Sequence, residues 1–186
     1  MYFSEGQFIE TVRRNAMNRL ILDALSALEL PQATLTAGCL VQTIWNIKTG
    51  KDPDWAIKDY DLFYFDDTDL SWAAEDALIQ KAKAQLGDRA EKIEIRNQAR
   101  VHLWYREKFG FPCPPLKRVE DGIDRYLILC TRFGISLENG SVYAPDGYDD
   151  MWNGILRLNP HNPLRDLFVQ KCKDYQSRWP WLVMVD

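Results

Sequence analysis

Near the start of the chain, apolar residues fall at Phe8, Ile9, Val12, Met17, Leu20, Ile21, Ala24, Leu25 and Leu28. This is the spacing of one helical face, so a single amphipathic helix is predicted from Glu5 to Leu28, stopped by Pro31. Ala33 to Ala37 reads as a short strand delivering the chain to Gly38, after which CLVQTIWNI reads as a helix to about Lys48. The turn formers of KTGKDPDW predict a loop over Lys48 to Trp55, followed by a strand from Ile57 to Phe65. Ala74, Ala77, Leu78 and Ala82 form the apolar stripe of a helix from Leu70 to Leu86, with Gly87 as its stop. From Ile93 to Tyr105 mostly apolar odd positions alternate with Glu94, Arg96, Gln98, Arg100, His102 and Trp104. That period predicts one long strand, or two parted by a bulge.

The three prolines between Phe109 and Pro115 predict a boundary loop. Beyond it the pattern predicts a helix near Val119 to Leu129, then a hairpin pairing Thr131 to Leu137 with Ser141 to Tyr143 through Glu138, Asn139 and Gly140. Two short helices follow, near Tyr148 to Leu156 and Pro163 to Arg178. A chain of 186 residues with no internal repeat is expected to form one domain, 1–186, with a core over about 30–107 and an extension over about 116–186.

Composition narrows the class. An apolar fraction of 46% and an aromatic fraction of 12% supply a sizeable core and exclude disordered or low-complexity chains. No apolar run spans a membrane and the N-terminus lacks a signal-peptide pattern, so a soluble cytoplasmic protein with no membrane partner is expected. The four cysteines show no C-x-x-C pair and are expected to be reduced, structural thiols. The net charge of -4 argues against a general polyanion-binding surface, and no basic stripe favours a long nucleic acid. That charge is unevenly spread: the window Asp52 to Asp69 holds seven aspartates and one lysine, or -6, leaving the remainder near +2.

Asp59 and Asp61 are two apart on a predicted strand, so their carboxylates project to one side. Two such groups repel unless a cation or proton lies between them. A hard divalent ion, Mg²⁺ or Mn²⁺, meets that need and also holds phosphates. Gly38 sits where a strand hands over to a helix, a place where free N–H groups and the helix dipole favour a phosphate. Glu94, with Arg96, Arg100 and His102 on the polar face of the later strand, is a candidate third carboxylate for a second ion or for proton removal from an attacking hydroxyl.

The order AGCLVQTIWN, IKDYDLFYFD, IEIRNQARVHLWY resembles the nucleotidyltransferase superfamily with the DNA polymerase beta-like catalytic fold. With YAPDGYDDMW, RLNP and RWPWL it resembles, more narrowly, a bacterial nucleotidyltransferase-like family of uncharacterised function, over about Thr36 to Trp181. The resemblance implies an α+β fold, a mixed sheet flanked by helices with a C-terminal helical and hairpin extension. It also implies Asp59 and Asp61 as metal carboxylates, Gly38 and Cys39 at the triphosphate loop, and Glu94 as third acid. From its place beside Glu94 on the polar face, not from the resemblance, Arg96 is added as a candidate nucleotide-binding residue. The expected activity is transfer of NMP from an NTP, ATP first among them, to a hydroxyl acceptor that the sequence does not name. Cys39 stands where the superfamily usually has Ser or Gly, and KTGKDPDWAI lengthens the interval to Asp59. Both features motivate the alternative of a non-catalytic nucleotide-binding module on the same fold.

Other candidates carry structural readings. Asp66, Asp67 and Asp69 read as a turn and a helix cap, His102 as a hydrogen-bonded sheet residue, and Asn97 as a side chain bonding a neighbouring backbone. Arg96 and Arg100 are equally suited to phosphate or to local acids. Cys39 reads as a small helix-start filler, and Trp45, Trp152, Trp179 and Trp181 as packing residues.

Overall fold

The computed structural model describes residues 3–28 and 30–185; Met1, Tyr2, Glu29 and Asp186 of the expected 1–186 span lie outside the described residues. Ser4 and Gln7 form a reciprocal capping box that starts helix α1, Glu5–Val12. The expected continuous opening helix is broken at this point. Asn15 is fully buried and its Oδ1 accepts from the N–H groups of Met17 and Asn18, which restarts the chain as α2, Ala16–Ala24. Hydrophobic spacing carried through the break because both segments bury the same kind of face, so periodicity alone did not register it.

Strand β1, Thr34–Thr36, leads into helix α3, Gly38–Lys48, whose residues from Gly38 to Asn46 are all buried. Strand β2, Tyr60–Tyr64, helix α4, Trp72–Leu86, and strand β3, Ile93–Asn97, follow. Gly87 ends α4 with a positive φ of 58°, as expected of a stop glycine. Helices α5, Val101–Phe109, and α6, Val119–Ile123, lead to strands β4, Gly134–Ser136, and β5, Val142–Tyr143. The chain closes with α7, Asp149–Asn153, β6, Ile155–Arg157, α8, Arg165–Arg178, and β7, Val183–Val185.

The main sheet has five strands in the order β3-β2-β1-β4-β5. The β2–β3 pair is parallel and the other pairs are antiparallel, which makes it the mixed sheet expected of the fold. The expected hairpin is present as β4 and β5, and a second, two-stranded parallel sheet pairs β6 with β7. Neither β6 nor β7 was foreseen, each being only three residues long. The predicted helix over Val119 to Leu129 ends at Ile123, and the chain then passes a short 3-10 turn at Leu129–Thr131.

The long alternating segment needs the largest correction. Only Ile93–Asn97 is strand; a 3-10 turn over Gln98–Arg100 leads into α5. Asn97 is the switch. Its amide accepts from Asp66 N–H at 3.1 Å and Ala99 N–H at 3.0 Å, and donates to the Asp66 carbonyl at 2.7 Å. A side chain thus takes over bonds that a continuing strand would make to its neighbour. Val101 and Tyr105 then pack with Cys113 and Leu116 in a satellite cluster. Because a helical i, i+4 pair also falls on same-parity positions, alternation could not tell the two apart. His102 is therefore a helix residue, and its Nδ1 has no hydrogen-bond partner among the described residues.

Glu75, 3% exposed, clamps this junction to α4. One carboxylate oxygen accepts from Asn97 N–H at 2.8 Å and the other pairs with Arg100, whose Nε also donates to the Leu70 carbonyl at 3.0 Å. Asp66 and Asp69 cap local turns, as expected, while the helix cap itself is Ser71. The core runs through residues from Phe3 to Leu182 and includes Trp45 and Trp179, both fully buried. No helix among the described residues is long and apolar enough to cross a membrane. Truncating Glu75 leaves the Arg100 guanidinium buried and unpaired, so Glu75→Ala is expected to lower the unfolding free energy by about 3–5 kcal/mol. Urea denaturation checks it, with exposed Glu91→Ala as the neutral control.

Candidate active site

The site begins at the register between β1 and β2. Thr36 lies opposite Asp61, and on the other side of β2 Asp61 lies beside Glu94 of β3. Immediately after Thr36 the chain turns through Ala37, a non-glycine residue at φ 63° and ψ -133°, and enters α3 without a side-chain cap. Such a conformation costs on the order of 1–3 kcal/mol and persists only where the surroundings enforce it. Here Ala37 N–H donates to the Phe133 carbonyl at 3.1 Å, and the Thr36 hydroxyl donates to the same carbonyl at 2.6 Å. The tight entry brings the N-terminus of α3 alongside Asp61.

The loop before β2 is fixed by buried polar side chains. Asn46 on α3 donates to the Pro53 and Trp55 carbonyls at 3.3 and 2.8 Å and accepts from the Trp179 indole at 2.9 Å. Asn15 donates to Thr43 and Pro53, and Tyr60 donates to Asn15 at 3.4 Å. The extra length of KTGKDPDWAI is thereby fastened to α3. Strand β2 begins only at Tyr60, so Asp59 is the residue just before the strand, not within it.

Ala37, Gly38, Asp59, Asp61 and Tyr126 line one cavity of about 200 Å³, closed on its far side by α8. From α8 come Lys171, Asp174, Tyr175 and Arg178, at positions i, i+3, i+4 and i+7 and hence on a single helical face. Arg178 is held by Asp174 at 2.5 Å, the Gln42 side-chain oxygen at 2.9 Å and the Ala56 carbonyl at 3.0 Å. Lys58 Nζ stands 3.5 Å from Asp174, whereas Lys171 has no acid within salt-bridge distance among the described residues. A cleft with two carboxylates on one wall and cations on the other suits a bridging polyanion that carries its own metal.

Gly38 has a specific packing role. A Cβ there would come within 2.5 Å of the Gln42 amide nitrogen, so the missing side chain lets Gln42 lie over the helix start and reach Arg178. Cys39 is fully buried and its thiol contacts the Thr36 carbonyl at 3.4 Å. Burial, with Asp61 and Asp59 nearby, holds that thiol well above its ordinary pKa, so Cys39 is a packing thiol behind the cavity wall and not part of its lining.

Two further expected residues lie apart from this cavity. Glu94 is about half exposed and pairs with Arg96 at 3.3 Å, and Arg96 lines the neighbouring groove. Among the described residues no three His, Cys, Asp or Glu side chains converge closely enough to hold an ion by themselves. Two carboxylates nevertheless suffice for Mg²⁺, which keeps waters and commonly takes its remaining ligands from substrate phosphates. Lys58, Gln42, Tyr126, Lys171 and Arg178 were missed by sequence reasoning. For the α8 residues the signal was their shared face; for Tyr126 and Gln42 nothing local marked them.

Burial raises the Asp61 carboxyl to about 7, with Asp59 and Glu94 adding to the rise against Lys171 and Arg96. An unfolded aspartate ionises near 3.9, so between those values the folded chain keeps a proton that the unfolded chain has lost. The stabilising contribution is complete below about pH 4 and is lost as pH rises through about 7. In the presence of chelator, the urea midpoint is expected to fall between pH 4.5 and pH 8. Asp61→Asn is expected to flatten that fall and to raise the midpoint at pH 8; an unchanged slope in the variant refutes it.

Residues 23–184 match the model of a family described as Nucleotidyltransferase. Comparison with curated proteins gives no match. Among solved structures, an NMR structure described as revealing a CCA-adding enzyme head domain superposes with a TM-score of 0.78 at 23% identity, covering 100% of this chain and 98% of the other. That likeness establishes the fold. The family match, spanning most of the sequence on this same fold, shows that the chain belongs to the nucleotidyltransferase family.

Proposed function

We propose that the protein is a metal-dependent nucleotidyltransferase that moves NMP from an NTP, ATP being the first to test, onto a hydroxyl acceptor. The observation that carries this reading is the single cavity in which Asp59 and Asp61 face Lys58, Lys171 and Arg178 beside the start of α3. Asp59 and Asp61 would hold Mg²⁺ or Mn²⁺, which when bound neutralises charge on the phosphates. The backbone N–H of Gly38 would meet the phosphates at the positive end of α3. Lys171 and Arg178 would neutralise the opposite side of the polyphosphate. In the transfer, the acceptor oxygen forms a bond to the α-phosphorus as the bond to pyrophosphate breaks.

The acceptor proton goes to a base, for which Glu94 is our candidate. It sits in register with Asp61 and would have to leave Arg96 to serve; Arg96, once released, would be free to turn toward phosphate. Catalysis here is mainly positioning and charge neutralisation. The acidic surface and the small cavity favour a compact acceptor over a long nucleic acid.

One observation favours the second reading, a nucleotide-binding module without turnover: the Glu94 carboxylate is engaged by Arg96 outside the cavity. Calorimetry with Mg·ATP and transfer of label from α-labelled NTPs to candidate acceptors separate the two. Asp59→Ala with Asp61→Ala is expected to reduce transfer at least 100-fold and to weaken Mg·ATP binding. Equal binding and equal transfer in the double variant would sink the site. Binding without transfer to any protein, RNA or small-molecule acceptor selects the module.

A further inference from the structure

Beside the acidic cavity lies a second one, of about 280 Å³, that shares Tyr126 and Lys171 with it. Its walls are largely apolar and aromatic: Phe63 of β2, Trp104 and Tyr105 of α5, and Leu167 at the start of α8. Phe63 and Tyr126 bring their rings to 6.0 Å of each other at the partition between the cavities. Among the polar groups of this lining, which include Arg96, Gln98, Asn162 and Lys171, is Arg125, whose guanidinium lies 4.8 Å from the centre of the Tyr105 ring. Its Nε is buried and has no hydrogen-bond partner among the described residues. A buried donor without an acceptor is costly, and its expense is expected to be offset by a ligand.

The chemistry required of that ligand is narrow. Apolar and aromatic walls select a planar ring, and a guanidinium in the lining selects a ring whose edge carries hydrogen-bond acceptors. The volume lies near the lower end of small-molecule sites, the size for a ring system and not for a whole charged nucleotide. Lys171 stands between this ring site and the carboxylates, where it can meet a phosphate attached to the same molecule.

We infer that this second cavity holds the nucleobase of the nucleotide whose phosphates occupy the Asp59–Asp61 cavity, with Arg125 donating to the base edge and Trp104 and Tyr105 contacting its face. This rests on the nucleotide reading of the first cavity. An aromatic ring on the acceptor would have the same chemistry, so the experiment separates the two sources.

The full chain is titrated with each of the four Mg·NTPs, with Mg·tripolyphosphate, and with each of the four nucleosides in chelator, by calorimetry and by the indole N–H signals of the tryptophans. At least one Mg·NTP is expected to bind 10-fold or more tightly than Mg·tripolyphosphate, and its nucleoside alone is expected to move the Trp104 indole signal. Arg125→Met and the cavity-filling Leu167→Trp, a change at a site 41% exposed, should each reduce that preference at least 5-fold while leaving tripolyphosphate binding intact. If tripolyphosphate fails to bind, the reading of the acidic cavity falls, and the nucleoside signals still judge the base site. The inference is overturned if no nucleoside or NTP moves Trp104, if no NTP outbinds tripolyphosphate, as expected when the ring site serves the acceptor, or if Leu167→Trp keeps the full preference.

Discussion

The pairing of Thr36 with Asp61 is the contact on which the architecture of the site depends. It sets a carboxylate in the middle of a sheet directly beside the N-terminus of a buried helix. A shift of one residue in that antiparallel register would turn Asp61 to the other face and put an apolar neighbour of β2 in its place. The register is held from both sides. Leu35 and Leu62 are completely buried, and the Thr36 hydroxyl and Ala37 N–H both bond the Phe133 carbonyl next to β4. The unfavourable backbone of Ala37 is a consequence of this closure, since the chain has to reverse between a fixed strand and a fixed helix in one residue.

Around that contact the protein gathers compensating charge from distant parts of the chain. Asp61 is crowded by Asp59 and Glu94 and partly buried, a combination unfavourable to its anionic form. Relief comes from Arg96 of β3 and from Lys171 of α8, which lines the same cavity more than a hundred residues away in sequence. The basic remainder of the chain, near +2 in total, therefore matters through where it is placed. Arg178 is itself tethered through Gln42 to the stretch over Gly38, so the helix start, the carboxylates and the basic wall form one connected unit. The 30–107 stretch and the 116–186 stretch both line this cavity.

Much of the fold was legible because its signals are local. Gly38 after a short strand, the buried run of α3, the stop at Gly87 and the turn at Asn139 and Gly140 depend on residues close in sequence, and the structure has each of them. Two failures have one origin. The opening helix breaks at Asn15, and the long alternating segment bends into α5 after Asn97. Each is a buried asparagine whose amide competes with regular backbone bonding, and its partners, Thr43 and Tyr60 in one case and Asp66 in the other, come from elsewhere in the fold. Of the candidate site residues that spacing singled out, Asp59, Asp61 and Gly38 line one cavity, while Glu94 and Arg96 form a neighbouring ion pair outside it.

By itself the sequence determined which strand carries Asp61 and which glycine opens the helix, because alternation and glycine placement are properties of a few adjacent residues, while the mixed α+β class came from the family resemblance. Tertiary structure decided which of the seven aspartates share a cavity, that the opposing cations belong to α8, and that a ring-sized apolar cavity lies next door, lined by an arginine whose Nε has no hydrogen-bond partner among the described residues. Those are matters of distance across the fold. Electrostatic compensation and burial act through space, so no local pattern records them.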